Sequence, residues 1–260
     1  MLDVIPLPAF NDNYIWLLRL RGDQRCWVVD PGEAAPVQRY LQTHDLKLEG
    51  ILLTHHHADH TGGVADLAKP GVTIIGSLQD VYRLPPLNLQ VTAGDRFQVL
   101  GNTVQVMEVP GHTLGHIAFY FPEQEPPLLL CGDTLFAAGC GRLFEGTPEQ
   151  MHASLQSLAQ LPDSTQVFAA HEYTLKNLEF ARQVEPDNAR LKARQESCQA
   201  LRADQQPTLP SSLELEKATN PFLRVTQPSV MAAAQKYSSN PDLQEPTEVF
   251  AIIRQWKDSA

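Results

Sequence analysis

The sequence predicts a mixed α/β domain followed by a smaller helical domain, and three observations lead to this prediction. The 260 residues are enough for one or two domains, each with a hydrophobic core. In the first two thirds of the chain, short apolar runs of strand length alternate with turns and a few helical stretches. From about Tyr173, strand signals fade and long polar helical stretches separated by prolines follow. We therefore expect one domain at residues 1–172 and a second at residues 173–260.

The predicted strands are short runs rich in β-branched and aromatic residues. A turn signal at residues 21–24 joins the first two runs into a hairpin. Residues 51–53 form a wholly apolar run, as expected of a strand that is buried on both faces. The predicted strands are residues 15–20, 26–30, 51–53, 72–75, 96–100, 103–109, 117–121, 128–131 and 166–169.

Prolines mark the beginnings of several predicted helices. Thr147 is a suitable N-cap, and Pro148 suits the first position of a helix over residues 148–160. Pro36 lies in the first turn of a helix predicted for residues 36–43. In the C-terminal domain, the predicted helices are residues 175–184, 188–203, 213–218, 228–236 and 246–257.

The composition excludes several classes of protein. The formal net charge of −10 disfavours nonspecific binding to nucleic acids, whose phosphates attract basic surfaces. No apolar run approaches the roughly 20 residues that a membrane-spanning helix needs, and we see no signal peptide at the N-terminus. The four cysteines form no C-x-x-C pair, so we expect reduced thiols and a cytoplasmic location.

The strongest motif is a histidine cluster directly after the apolar run 51–53. It has the form H-x-H-x-D-H, with His55, His57, Asp59 and His60 in the fixed positions. Imidazole and carboxylate are ligands that suit Zn²⁺, Fe²⁺ and Mn²⁺. The spacing lets the first two histidines reach one metal while Asp59 and His60 reach another. We expect His56, which alternates with the candidate ligands, to point away from the metals.

Three more candidate ligands follow strand-like runs. His112 follows residues 104–109, Asp133 follows residues 128–131, and His171 follows the run that ends near residue 170. Because loops at one end of the strands form the site in layered α/β folds, these side chains can converge on the histidine cluster. We expect His116 to be a structural residue or a hydrogen-bond partner of a ligand rather than a ligand itself.

These motifs resemble the metallo-β-lactamase superfamily, and within it the hydroxyacylglutathione hydrolase (glyoxalase II) family. The resemblance runs from near the N-terminus to the last few residues. It implies an αββα sandwich followed by a smaller C-terminal helical domain. The matching stretches are residues 8–16, 110–116, 132–136, 139–146, 171–174, 220–224 and 254–257.

The resemblance implies a site with two divalent metal ions per chain, with Zn²⁺ as the first choice and Fe²⁺ or Mn²⁺ as alternatives. Asp133 would bridge the two ions together with a hydroxide, and no catalytic residue is expected beyond that metal-bound hydroxide. The other ligands divide between the two ions: His55, His57 and His112 would bind the first, and Asp59, His60 and His171 the second.

The resemblance also implies a binding site for the peptide part of glutathione. Arg254 and Lys257 lie three residues apart on one helix, so they share a face and could hold a glutathione carboxylate near the mouth of the site. Some family members have tyrosine where this chain has Phe144. The implied substrate-binding residues are Arg142, Leu143, Phe144, Tyr173, Arg254 and Lys257.

The implied reaction is hydrolysis of S-(2-hydroxyacyl)glutathione, chiefly S-D-lactoylglutathione, by a monomer that binds neither nucleic acid nor membrane. One alternative is a glutathione persulfide dioxygenase with a single iron, which we would not expect to carry this C-terminal helical domain. Another is a metal-binding or nucleic-acid-processing scaffold without this activity. The complete set of seven candidate ligands and the acidic charge both argue against that scaffold.

Overall fold

The computed structural model describes residues 2–260, which divide into two compact units. The first unit contains the residues up to Glu108, Leu114–Gly132 and Phe168–His171. The second contains Val109–Thr113, Asp133–Val167 and Glu172–Ala260. Each unit consists of three segments of the chain, so this division cannot be described by one boundary in the sequence. The domain boundary at residue 172 stays a prediction.

A six-stranded sheet of the first unit has the strand order β1-β2-β3-β4-β5-β6. The first three strands are antiparallel, and β3 to β6 are parallel. These strands are β1 (Leu2–Ala9), β2 (Asn13–Leu20), β3 (Arg25–Val29), β4 (Lys47–Leu52), β5 (Thr73–Ser77) and β6 (Leu89–Val91).

Strand β1 was not predicted, although it pairs with β2 over all eight of its residues. Its sequence contains Pro6 and Pro8, which offer no N–H to a sheet and so hide a strand from pattern analysis. The strand order explains why the prolines are tolerated. Strand β1 is the outermost strand, where one row of backbone donors needs no partner.

Short helices pack on this sheet. They are α1 (Ala34–His44), α2 (Ala58–Thr61) and α3 (Val64–Leu67). Val37 of α1 and Val64 of α3 join Leu17, Val28 and Ile51 of the central strands in one buried core. The last three residues of β4 are buried, so the chain enters the histidine loop from the core.

A second six-stranded sheet has the order β14-β13-β10-β9-β8-β7. Strands β9 and β10 are buried at every residue, which matches their continuous apolar sequences. Strand β13 belongs to both units, since its last two residues lie in the first unit and its first two pair with β14 in the second. The strands are β7 (Arg96–Val99), β8 (Asn102–Glu108), β9 (Ile117–Phe121), β10 (Leu128–Gly132), β13 (Gln166–Ala169) and β14 (Ser211–Ser212).

The second unit is mainly helical, as predicted for the C-terminal part of the chain. A small hairpin, β11 (Leu135–Phe136) and β12 (Gly139–Cys140), precedes its first helix. That helix begins with a capping box, in which Thr147 and Gln150 bind each other's backbone N–H, and Pro148 follows the cap. The helices are α4 (Pro148–Ala159), α5 (Thr174–Val184), α6 (Ala189–Ala203), α7 (Leu213–Thr219), α8 (Pro228–Ser238) and α9 (Pro246–Ser259).

Two expectations drawn from composition can be compared directly with this structure. All four cysteines are free and buried. Within residues 2–260, none of the helices has the length and apolar character required to cross a bilayer.

Candidate metal centre

The histidine cluster lies in the loop between β4 and the short helix α2. His55 is fully buried and His57 is partly buried at the N-cap of α2, which places Asp59 and His60 in the first turn. The ring centroid of His55 lies 4.7 Å from that of His57 and 4.1 Å from that of His60. A buried strand and a single helical turn thus bring four candidate ligands together.

Asp59 stands between two imidazoles of the first unit. Its Oδ2 atom lies 3.4 Å from Nε2 of His60 and 3.4 Å from Nε2 of His171. Asn13 donates a hydrogen bond to the same oxygen at 3.1 Å, which fixes the orientation of the carboxylate. Although His171 is far away in sequence, an isolated bridge to Asn13 holds its backbone here.

Acceptors on the far side of each ring fix the imidazole tautomers. The Nδ1–H of His60 donates to Asp30 at 3.1 Å, and the Nδ1–H of His171 donates to Asp12 at 2.9 Å. Thr54 donates to Asp30 at 2.6 Å and accepts from Nδ1 of His55 at 3.0 Å. Because Nδ1 carries the proton in each ring, Nε2 keeps the lone pair that a metal requires.

The contacts of His56 and His116 agree with supporting roles, which stay predictions. Nδ1 of His56 contacts Oδ2 of Asp80 at 2.9 Å. His116 is buried and its ring stacks on that of His55, with centroids 4.6 Å apart.

His112 and Asp133 lie close together in the second unit. Nε2 of His112 is 3.4 Å from Oδ2 of Asp133. The opposite nitrogen, Nδ1, donates to the carbonyl oxygen of Arg142 at 2.8 Å. His112 therefore has the same tautomer as the histidines of the first unit, and its Nε2 faces a carboxylate.

The donor atoms fit divalent metal ions. Two ligands of one tetrahedral Zn²⁺, each about 2.0–2.1 Å from the ion, lie roughly 3.4 Å apart. The three separations between Nε2 and carboxylate oxygen described above have this value. One atom each of Asp59, His60 and His171 lies within 4.8 Å of the others, and the same holds for Asp30, His55 and His60. The chemistry of these nitrogen and oxygen donors suits Zn²⁺, Fe²⁺ or Mn²⁺.

Glycine is required at the end of β10, directly before Asp133. Gly132 has a φ of +49°, and a Cβ atom there would lie 2.4 Å from Oγ1 of Thr54 and 2.9 Å from the ring of His116. The Gly-Asp pair of the sequence motif therefore has a steric cause as well as a chemical one.

The predicted substrate residues Arg142, Leu143 and Phe144 follow the β11–β12 hairpin. The guanidinium Nε of Arg142 lies 3.4 Å from Oδ1 of Asp258, and the Arg142 side chain is more than half exposed. The Phe144 N–H donates to the carbonyl of His112 at 3.2 Å, and its exposed ring stands edge-on to the imidazole, 5.2 Å away. Leu143, the residue between Arg142 and Phe144, is partly buried.

The remaining predicted substrate residues differ in exposure. Tyr173 is the N-cap of α5, and its ring packs edge-on against Phe136. Arg254 is 6% exposed and donates to the Cys140 carbonyl at 3.0 Å and to Asp258 at 2.8 Å. Lys257 donates to the Lys176 carbonyl at 3.3 Å. Burial, with the nearby Arg254 charge, lowers the pKa of Lys257. Their role in binding substrate stays a prediction.

Sequence reasoning did not identify the acceptors that orient the histidines. Asp12 lies in an Asn-Asp-Asn motif before β2, and Asp30 follows β3 immediately before Pro31. One sequence signal could have identified Asp30: it directly follows the buried strand β3, which is the neighbour of the strand β4 that leads into the histidine loop. Strands β3 and β4 are parallel neighbours, so their C-terminal ends lie side by side.

Two family models together match nearly the whole chain. One describes the metallo-β-lactamase superfamily and matches residues 10–171. The other describes the hydroxyacylglutathione hydrolase C-terminus and matches residues 172–260. The match to the C-terminal part argues against the dioxygenase alternative, for which no such domain is expected.

Similar proteins and structures agree with these matches. The chain is 54% identical to the hydroxyacylglutathione hydrolase of Pseudomonas aeruginosa strain LESB58 over 260 residues, and 49% identical to that of Vibrio parahaemolyticus, with 99% of both chains covered in each case. The structure of ETHE1 from Myxococcus xanthus shares the fold, with a TM-score of 0.64, 23% identity and coverage of 100% of this chain and 99% of that one. TTHA1623, solved in a di-iron-bound form, has a TM-score of 0.60, 26% identity and coverage of 85% and 100%. The predicted metallo-β-lactamase fold is confirmed, and the chain belongs to the hydroxyacylglutathione hydrolase family.

Proposed function

We propose that this protein hydrolyses the thioester of S-(2-hydroxyacyl)glutathione, with S-D-lactoylglutathione as its main substrate. The products are glutathione and D-lactate, the second step of methylglyoxal detoxification. One observation supports this proposal most directly. The Asp59 carboxylate lies at equal distances from the imidazoles of His60 and His171, in a chain 49–54% identical over its length to proteins named hydroxyacylglutathione hydrolase.

Two divalent metal ions per chain complete the proposed site, with Zn²⁺ as the first choice and Fe²⁺ or Mn²⁺ as alternatives. The di-iron form of TTHA1623 supports the number of ions. When bound, two such ions lower the pKa of a water molecule toward neutrality and polarise a carbonyl group. The proposed ligands are His55, His57 and His112 for one ion, Asp59, His60 and His171 for the other, and Asp133 for both.

The supporting residues of the chain keep the ligands in their binding form. Three acceptors, Asp30, Asp12 and the carbonyl of Arg142, each accept a hydrogen bond from the Nδ1–H of a candidate ligand histidine. The Nε2 lone pair of each of these rings therefore stays available. Loss of such supporting contacts typically weakens metal binding 10- to 100-fold.

Glutathione carries two carboxylates, so a protein with a net charge of −10 needs a local group of cations to bind it. We assign this role to Arg142, Arg254 and Lys257, with Tyr173 and the residues Leu143 and Phe144 beside them. Phe144 is exposed and lacks the hydroxyl of the tyrosine that some family members have, so one hydrogen bond to the peptide is absent at this position.

A covalent acyl-enzyme intermediate on Cys140 does not fit the properties of this thiol. Cys140 is buried, and burial raises the pKa of its thiol to about 11. At neutral pH this thiol is protonated, and the protonated form is a poor nucleophile. The leaving group is the glutathione thiolate, which departs without a strong general acid. Hydrolysis by water is therefore the mechanism we propose.

The test is turnover of S-D-lactoylglutathione by the metal-loaded protein, with thiol release measured alongside elemental analysis. We expect thioester hydrolysis and about two metal ions per chain. Oxygen consumption with glutathione persulfide, without thioester hydrolysis, would instead support the single-iron dioxygenase. We place the reaction in the cytoplasm and expect a monomer, which sedimentation can check.

A further inference from the structure

The hairpin that follows Asp133 is held by an unusual concentration of buried side chains. We define the 136–140 turn as the five residues from Phe136 to Cys140. Each of its five residues forms a backbone hydrogen bond with a side chain of the C-terminal helical region. These bonds are Asn220 to the carbonyls of Phe136 (3.1 Å) and Gly139 (2.9 Å), Asn177 to the carbonyl of Ala137 (3.1 Å), the Ala138 N–H to Glu216 (2.8 Å), and Arg254 to the carbonyl of Cys140 (3.0 Å).

The four side chains that hold the turn are buried and connected to one another. Glu216 and Asn220 have no exposed surface, and Asn177 and Arg254 are each 6% exposed. Asn220 also donates to Glu216 at 3.1 Å, and Glu216 pairs with the buried guanidinium of Arg194. Ala138 has a φ of +54°, a left-handed conformation that alanine seldom adopts and that surrounding contacts must maintain. The turn is therefore held in one conformation from several sides.

One end of this hairpin adjoins the candidate metal ligand Asp133, and the other adjoins the backbone acceptor of the candidate ligand His112. Asp133 and Thr134 precede it, and the Gly141 N–H closes it by donating to the Thr134 carbonyl at 3.1 Å. A Cβ atom at Gly141 would lie 1.9 Å from the carbonyl oxygen of Asp133, so the two backbones are in close contact. The next residue, Arg142, accepts the hydrogen bond from Nδ1 of His112 at 2.8 Å. A shift of the turn would move Asp133 and would remove the acceptor that orients His112.

We propose that Glu216, Asn220, Asn177 and Arg254 are positioning residues, which set the places of Asp133 and His112 through the 136–140 turn. The inference rests on the proposed metal site, and it assigns the C-terminal helices a part in metal binding in addition to substrate binding. It also gives the buried Arg254 a contact that does not depend on substrate.

The experiment measures metal affinity in the full chain, without substrate. The variants are Glu216→Gln and Asn177→Ala. The glutamine has one accepting oxygen, so it cannot accept from both the Ala138 N–H and the Arg194 guanidinium as Glu216 does. The alanine removes one hydrogen bond to the turn. The matched control is Glu185→Gln. Glu185 is also a buried carboxylate of the second unit, and it pairs with Arg224 at 2.7 Å away from the turn. Competition with a chelator gives the affinity for Zn²⁺, and the absorption spectrum of the Co²⁺ form reports ligand geometry.

We expect both turn variants to bind Zn²⁺ about 10-fold or more weakly than the unmodified protein and to change the Co²⁺ spectrum. The control should keep both properties even if its melting temperature falls. Turn variants that lose stability but keep the original affinity and spectrum would overturn the inference, since their contacts would then be structural only. If Glu216→Gln does not fold, Asn177→Ala decides in the same way. An unmodified protein that binds no divalent ion would overturn the proposed function as well.

Discussion

Replacing Asp258 with asparagine should strengthen substrate binding, although it removes an ion pair. Oδ1 of Asp258 lies 2.8 Å from Nη2 of Arg254 and 3.4 Å from Nε of Arg142. Both arginines belong to the proposed glutathione-binding group. If the two arginines bind a carboxylate of the substrate as proposed, the Asp258 carboxylate competes with it, and the two negative charges repel each other.

The magnitude follows from the exposure of this group. The side chain of Asp258 is 33% exposed and that of Arg142 is 58% exposed, so water screens the charges. Two unit charges about 4 Å apart interact by about 1 kcal/mol at the dielectric constant of water. Removing that repulsion corresponds to a roughly fivefold lower KM. The kcat should stay nearly the same, because the contact is remote from the thioester and acts equally on ground state and transition state.

The assay is steady-state kinetics of Asp258→Asn with S-D-lactoylglutathione and with a small thioester that lacks the peptide. The KM should fall only for the glutathione substrate, and this decrease should become smaller as the salt concentration rises. Glu214→Gln is the control, since Glu214 pairs with Arg190 on the exposed surface of the same unit. An unchanged or higher KM would refute the reasoning, because Asp258 would then orient the arginines rather than compete with substrate.

Four further predictions use other parts of the chain. Asp133→Ala should lose at least one metal ion and nearly all turnover, whereas His56→Ala should keep both ions, as elemental analysis can check. Lys257→Ala should raise the KM for S-D-lactoylglutathione and leave kcat nearly unchanged, and an equal effect on a small thioester would contradict this. Burial lowers the pKa of His152 from its ordinary value of 6.5. As the pH falls below 6.5, the histidine therefore binds a proton more readily in the unfolded chain than in the folded protein. Stability should therefore fall below pH 6.5, and thermal unfolding of His152→Phe should show a weaker dependence. Mass spectrometry during turnover should detect no acyl adduct on Cys140.

The sequence predicted best those elements whose residues are buried on both faces. The apolar run 117–121 predicted β9 with the bounds that the structure has, and residues 166–169 did the same for β13. Such strands need little information about their neighbours, because all of their residues except Gln166 are apolar. Strand β1 was missed for the opposite reason, since its prolines are acceptable only at an edge that the sequence does not reveal.

The candidate ligands could be predicted, but the contacts that support them could not. A ligand is marked by its residue type and by the strand end that precedes it, as for His55 and His171. The acceptor for His171 is Asp12, which is 159 positions away, and only the folded chain brings them together. Arg254 shows the same limit. Its helix and charge were predicted, yet its burial against the Cys140 carbonyl depends on packing that no local pattern encodes.

The prolines of β1 also bear on how this protein behaves at high concentration. The free edge of a sheet can recruit a strand from another molecule, and this pairing begins many aggregates. Pro6 and Pro8 are two residues apart, so their missing donors fall on the same side of the strand, and proline is confined to the side that faces away from a neighbour. Two carbonyl groups of an incoming strand would find no N–H on β1 from which to accept a hydrogen bond. Substitution of both prolines by residues that carry an N–H should therefore leave the fold intact and make the protein aggregate at lower concentration, which light scattering would detect.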